Sequence, residues 1–210
     1  MTNASSLVIV GRSSSHFTRL ARLFAHELGV AYRFEPVLDL TSVNRAHYAD
    51  NPTLRIPILR TESGTLFGAV NICRELSRRS ERRLRIVWPE DLGSYVGANA
   101  QELTLQAMAS EVFIIMAKAS GTSGDDRYLA KLRVALEGTL EWLEAHVDEA
   151  LSSLPPARDL SLLEVSLFCL LSHLEFREIA KLTPYTRLST FRDRFGERVS
   201  ARETEYRFDT

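Results

Sequence analysis

The sequence predicts an α/β N-terminal domain followed by an all-α C-terminal domain within 210 residues. Three observations predict this. Apolar runs of strand length fall within the first third of the chain, interleaved with helical periodicity. After Trp88 the periodicity is helical throughout. Between the two lies a charged stretch, Ser77 to Arg85, where the apolar pattern fades. The expected division is residues 1–79, a linker at 80–91, and a helical domain over 92–210.

Leu7–Val10 is a short β-rich run that ends at Gly11. Phe17, Leu20, Leu23, Phe24 and Leu28 then recur at helical spacing, and Gly29 suits the C-terminal cap. Ala31–Val37 reads as a second strand. Asp39 to Asp50 is polar and mixed, read as loop with a short helix. Ile58 and Leu59 form the next strand, with Pro57 at its start, where a proline is tolerated. Glu62-Ser63-Gly64-Thr65 is a hairpin turn before Leu66-Phe67. A second helix runs from Ala69 to Arg79.

In the second domain, Val96, Ala100, Leu103, Ala107, Val112 and Met116 mark the face of one long helix. Leu129, Leu132, Leu136, Leu140, Leu143 and Val147 mark another, with Gly121–Asp126 between them. Pro155-Pro156 ends that part. Ser161-Leu162-Leu163-Glu164 is a capping box opening the most apolar helix, Leu162–Phe176. A last helix carries Tyr185, Leu188, Phe191, Phe195 and Val199.

Composition excludes several function classes. There are 26 Lys+Arg against 27 Asp+Glu, a formal net charge of -1. That balance offers no global field for nucleic acid or an anionic membrane. The arginine cluster Arg78, Arg79, Arg82, Arg83 and Arg85 lacks interleaved aromatics and contains Glu81, so it reads as a solvated linker. Cys73 and Cys169 make neither a metal cluster nor a disulfide framework, which fits a reduced, cytoplasmic compartment. Met1–Ser6 carries no positive charge, and the apolar run after it is too short for a signal-peptide core. Leu160–Phe176 is interrupted by Glu164, His173 and Glu175, so it reads as a buried helix and not a membrane span.

Five local features, in order, carry a family resemblance. They are Ser15-His16-Phe17-Thr18-Arg19 with the helix ending His26-Glu27-Leu28-Gly29; Asn51-Pro52 followed by Arg55-Ile56-Pro57-Ile58-Leu59; Gly64-Thr65-Leu66-Phe67 before a helix; Ser161 and Glu164; and His173 to Arg177 followed by Phe191, Phe195, Arg198 and Ser200. This pattern resembles the glutathione S-transferase superfamily, bacterial and serine-type-like, along almost the whole chain. The resemblance implies a thioredoxin-like first domain and a helical second one. It also implies glutathione as cosubstrate, a small hydrophobic electrophile as second substrate, and a homodimer.

The resemblance implies roles for particular residues. Glutathione must lose its thiol proton near neutral pH, and a hydroxyl at a helix N-terminus stabilises the thiolate. Ser15 matches the family's serine by position, and Ser14 and Ser13 are close enough to share or replace it. The same three serines equally suit a polar loop and an N-cap. His16, where the family has proline, adds charge beside a thiolate when protonated, although a solvated loop histidine is the favoured reading. Arg12 either binds an anionic substrate or lies in water.

Ile56-Pro57 is similar to the family's Val-Pro, whose proline is cis and whose preceding residue offers its backbone to the ligand. Arg55 either reaches the glycyl carboxylate or is a solvated surface arginine. The family's acid-serine pair for the γ-glutamyl group corresponds here to Gly68-Ala69, whose side chains cannot do this work. The backbone N–H groups there still suit a carboxylate. Losing the ammonium's partner costs about 1.5–3 kcal/mol. Arg12, His16, Arg19 and Arg55 are expected to surround an anion-binding cleft. Tyr95, Phe113 and Met116 are candidates for the hydrophobic-substrate pocket, or else core or dimer contacts.

Two further readings stay open: a non-catalytic binding or assembly module of the same fold, and a same-fold enzyme using a different ligand. No metal-ligand set and no phosphate-binding glycine loop is visible.

Overall fold

The computed structural model describes residues 7–121 and 126–210. The expectations for Met1–Ser6 and for most of the Gly121–Asp126 connection lie outside the described residues. The chain divides into two units. The first is residues 7–83 together with Arg198–Thr210, and the second is Leu84–Glu197.

In the first unit, strand β1 (Val8–Gly11) is followed by helix α1 (His16–Glu27), strand β2 (Arg33–Pro36), strands β3 (Ile58–Thr61) and β4 (Gly64–Phe67), and helix α2 (Ala69–Arg79). The sheet order is β2-β1-β3-β4. β1 runs parallel to β2, and β3 runs antiparallel to both β1 and β4. This is the thioredoxin-like arrangement. One sheet face packs Val8, Val10 and Ile58 with Val37 and Tyr48 into a core cluster. Alternation sends Ile9 and Leu59 to the other face, and both are fully buried, as are Leu20, Phe24, Ile72 and Leu76 on the two helices.

The register decides where the site lies. Val10 pairs with Ile58, and Ile58 pairs with Phe67. The loop after β1, the residues before β3 and the start of α2 therefore share one end of the sheet.

The second unit contains two short strands, β5 (Ile86–Val87) and β6 (Leu160–Ser161), paired in parallel. Its helices are α3 (Tyr95–Ala119), α4 (Arg127–Ser152), α5 (Leu162–Phe176) and α6 (Thr186–Gly196). Ser161 caps α5: its hydroxyl accepts from Glu164 N–H at 3.0 Å and donates to the Glu164 carboxylate at 2.7 Å. Arg158 grips that carboxylate with two N–H groups, at 3.0 and 2.8 Å.

Several sequence expectations are altered. The expected 80–91 linker contains β5, and Ser80 donates to the carbonyl of Leu28 at 2.7 Å. The arginines Arg78, Arg82, Arg83 and Arg85 are exposed, as expected, and several of the cluster are also paired: Arg79 bonds Glu75 and Glu62, Arg82 bonds the Glu27 carbonyl, and Arg85 bonds Asp159. The expected last helix stops at Gly196 and resumes as α7 (Val199–Glu203), which belongs to the first unit.

The buried face of α3 differs from the apolar series. Gln101, Thr104 and Glu111 are buried while Val112 is exposed. Each buried polar group has a partner: Gln101 donates to Ser166, Thr104 to the Ala100 carbonyl, and Glu111 pairs with His173 at 2.8 Å. Buried polar residues that find partners are tolerated in a core, although Gln101 Oε1 has none among the described residues, so apolar spacing alone does not locate this face. Both cysteines are free and buried. Among the described residues, no helix is long and apolar enough to cross a membrane.

Candidate functional site

The loop between β1 and α1 is shaped by Gly11 and Thr18. A Cβ on Gly11 would stand 2.6 Å from Thr18 Cγ2 and Oγ1, so only glycine permits this approach. Thr18 is fully buried and its Oγ1 accepts from the Arg12 N–H at 3.3 Å. The Ser15 N–H donates to the Arg12 carbonyl at 3.0 Å, closing the turn. Ser15 is then the N-cap of α1, with its Oγ accepting from Thr18 N–H at 3.3 Å. A hydroxyl that accepts in a cap keeps its own proton to donate.

Ser13 and Ser14 are buried, at 1% and 5% exposure. The Ser13 Oγ has no hydrogen-bond partner among the described residues. Its backbone N–H donates to Asp209 Oδ2 at 2.7 Å. Arg12 Nη1 donates to the Leu38 carbonyl at 3.0 Å.

His16 is buried at 1% exposure, edge-on to the Phe17 ring at 4.7 Å; the solvated reading is overturned. Arg19 also leaves the expected cleft. It is buried, donates to the Ala201 carbonyl at 2.9 Å, and lies 4.2 Å from the centre of the Tyr206 ring. Sequence spacing identified this arginine, but its partners lie some 180 residues away in the chain.

On the neighbouring loop, the Ile56–Pro57 bond is cis. Ile56 precedes the ladder that begins at Ile58, which leaves its backbone outside the sheet pairing. Asn51 shapes the approach. It is buried, its amide donates to the Arg55 carbonyl at 2.7 Å, and its Oδ1 accepts from Thr53 N–H at 3.1 Å and Thr53 Oγ1 at 2.9 Å. Leu54 holds φ at 53°, a costly left-handed conformation. The Arg55 side chain is exposed.

At the third element, Gly68 is the N-cap of α2 at φ 86° with no side-chain cap bond. No acidic residue stands in the helix's first turn. Ala69 is buried. The Asn71 amide turns back to the Phe67 carbonyl at 3.1 Å.

The structure therefore gathers Arg12 to His16, Ile56-Pro57 and Gly68-Ala69 at one end of the sheet. Of the candidates in the second unit, Phe113 is 45% exposed, Met116 is half-buried, and Tyr95 is 92% exposed. Phe113 and Met116 are one turn apart and share a face. Tyr95 lies 18 residues before Phe113 on α3, about 27 Å along the axis at 1.5 Å per residue. One pocket cannot be lined by all three. Sequence reasoning quoted Asn51 without giving it a role, and it missed Asp209. The Asn-Pro motif was the only signal for the first, and none existed for the second.

An open cavity of about 830 Å³ lies at the other end of α1, lined by His26, Glu27, Tyr32, Arg82, Arg198 and Ser200 among others. None of the sequence-predicted site residues lines it. Burial pushes the Glu27 carboxyl up, but hydrogen bonds from Arg198 and Ser200 outweigh it and hold the group below its usual value.

Residues 14–79 match the family described as glutathione S-transferase, N-terminal domain. That match covers the first domain, and over nearly its whole length the chain shares its fold with solved glutathione transferases. A glutathione transferase family member from Pseudomonas fluorescens Pf-5, solved with bound glutathione, is 22% identical with a TM-score of 0.79, covering 96% of this chain and 100% of that one. A glutathione S-transferase from Methylobacillus flagellatus with glutathione bound is 17% identical at a TM-score of 0.75, over 96% and 100% of the two chains. One from Methylobacterium radiotolerans, in complex with glutathione sulfonate, is 17% identical at 0.75, over 97% of each chain. No curated protein matches the chain.

Proposed function

We propose that the first unit of this chain binds glutathione and stabilises its thiolate for attack on a small hydrophobic electrophile. The observation that carries the proposal is the convergence of the 12–16 loop, Ile56 and the amino end of α2 at one end of the sheet. Ile56 offers its N–H and C=O to the cysteinyl segment of the tripeptide. That pairing holds the sulfur near the 13–15 loop. There a serine hydroxyl and the positive end of α1 favour the thiolate over the thiol. Ser15 supplies its free proton, and the unpartnered Ser13 hydroxyl is a second donor. The γ-glutamyl carboxylate meets the N–H groups that open α2. Its ammonium meets no side chain from Gly68-Ala69, which weakens binding about ten- to a hundredfold relative to a site that has the acid. Phe113 and Met116 are the candidates for contact with the electrophile. The proposed assembly is a homodimer.

The test is calorimetry with glutathione, followed by conjugation of a chlorodinitrobenzene. Binding in the millimolar range or tighter, with thiolate absorbance near 240 nm that falls in Ser13→Ala or Ser15→Gly, is the expected result. No heat at millimolar glutathione would sink the reading. Gly68-Ala69 favours a second reading, a binding module that retains the fold without turnover. Glutathione binding with no conjugation of any electrophile tested would select it.

A further inference from the structure

The Ser13 amide is already occupied by an anion that the chain itself supplies. Its N–H donates to Asp209 Oδ2 at 2.7 Å. Asp209 belongs to segment 205–210, which follows α7 without regular structure. The segment's root is firmly held. Thr204 is fully buried, and Arg19 bonds the Ala201 carbonyl and faces the Tyr206 ring at 4.2 Å. Its outer part lies at the surface: Phe208 is 59% exposed and Arg207 is exposed. A carboxylate on so short a tether has a high effective concentration at its target.

A second observation marks this place as a ligand site. The Ser13 side chain is 1% exposed, and its hydroxyl has no hydrogen-bond partner among the described residues. A buried hydroxyl without a partner is costly, and an arriving ligand atom would satisfy it. The Asp209 carboxylate takes the neighbouring N–H, beside the amino end of α1, where the proposed thiolate would sit. Two anions cannot share that amide at contact distance without strong repulsion.

We infer that Asp209 is an internal anionic plug, and that segment 205–210 must swing off Ser13 before an anionic sulfur group can bind. This rests on the glutathione reading of the site. The plug lowers the apparent affinity of the resting protein, because the competent state is only the unplugged fraction. Arg19 and Thr204 keep the segment attached while its tip leaves.

The experiment uses the full chain, wild type and Asp209→Ala, with glutathione sulfonate as the probe in calorimetry. Asp209→Ala is expected to bind about ten- to a hundredfold more tightly, since it removes a charge-assisted competitor. Saturating the wild type is expected to speed amide exchange in residues 205–210. Equal or weaker binding by Asp209→Ala overturns the plug. If neither protein binds the probe, the glutathione reading fails, and the plug is then judged without ligand. Exchange of the Ser13 amide at least tenfold faster in Asp209→Ala supports it, and unchanged exchange overturns it.

Discussion

Replacing Gly11 by alanine tests how the β1–α1 loop is built. The new Cβ would stand 2.6 Å from Thr18 Cγ2 and Oγ1 and 3.2 Å from its Cβ. Thr18 is fully buried, and a β-branched residue in a helix has few rotamers into which to retreat. Overpacking of this kind costs about 1–3 kcal/mol. Displacing Thr18 also breaks the Arg12 N–H to Oγ1 bond, measured at 3.3 Å, worth about 0.5–1.5 kcal/mol. Together these give about 2–4 kcal/mol. Trp88 and Trp142 both lie in the second unit, so tryptophan fluorescence would miss the effect. Amide exchange across β1 and α1 reports on the first unit directly. It is expected to speed up about 30- to 1,000-fold, at tenfold per 1.4 kcal/mol. Adding Thr18→Ala removes both clashing atoms, so the double variant should be more stable than the two single costs added together, by about 1 kcal/mol or more. Additivity within about 0.5 kcal/mol would refute the steric argument.

Further outcomes follow from other contacts. Asn51→Ala deletes three hydrogen bonds inside the loop that leads to Pro57; thermal unfolding should show a loss of about 1–3 kcal/mol, and calorimetry a matching loss of glutathione affinity. Glu27 has a lowered folded pKa, so its contribution is full above the ordinary value of 4.5 and is lost as pH falls through the folded one. Stability curves of wild type and Glu27→Gln should therefore converge in acid and separate at neutral pH; parallel curves would contradict this. Ser161→Ala removes the α5 cap and one partner of Glu164, with an expected cost of about 1–2 kcal/mol in denaturant titration, smaller in Ser161→Thr, whose hydroxyl can still accept from the Glu164 N–H and donate to its carboxylate.

Local patterns carried much of the fold into the sequence. α2 and α5 begin and end where apolar spacing and caps placed them, because their ends are set by neighbours in the chain. The Ile56-Pro57 motif, a short-range signal, was legible for the same reason. What was illegible depended on distant partners. Arg19 carries a pattern suited to a cleft, yet its guanidinium is claimed by Ala201 and Tyr206. His16 is a polar residue in a loop-like context, and only tertiary structure buries it. Gln101 and Glu111 break the apolar series of α3 because their partners, Ser166 and His173, sit on α5. Asp209 had no local motif to mark it at all.

The return of residues 198–210 to the first unit has a consequence for how the chain is made. A ribosome releases residues 7–83 before Ala201, Thr204 or Arg198 exists. In that interval Arg19 has no carbonyl from Ala201, and Glu27 has no Arg198 to bond. A cation destined for burial must stay hydrated until its partners arrive. All of residues 84–197 are synthesised in between. Translation order and folding order therefore part company in this unit: residues 7–83 wait for residues 198–210, which emerge more than a hundred residues later.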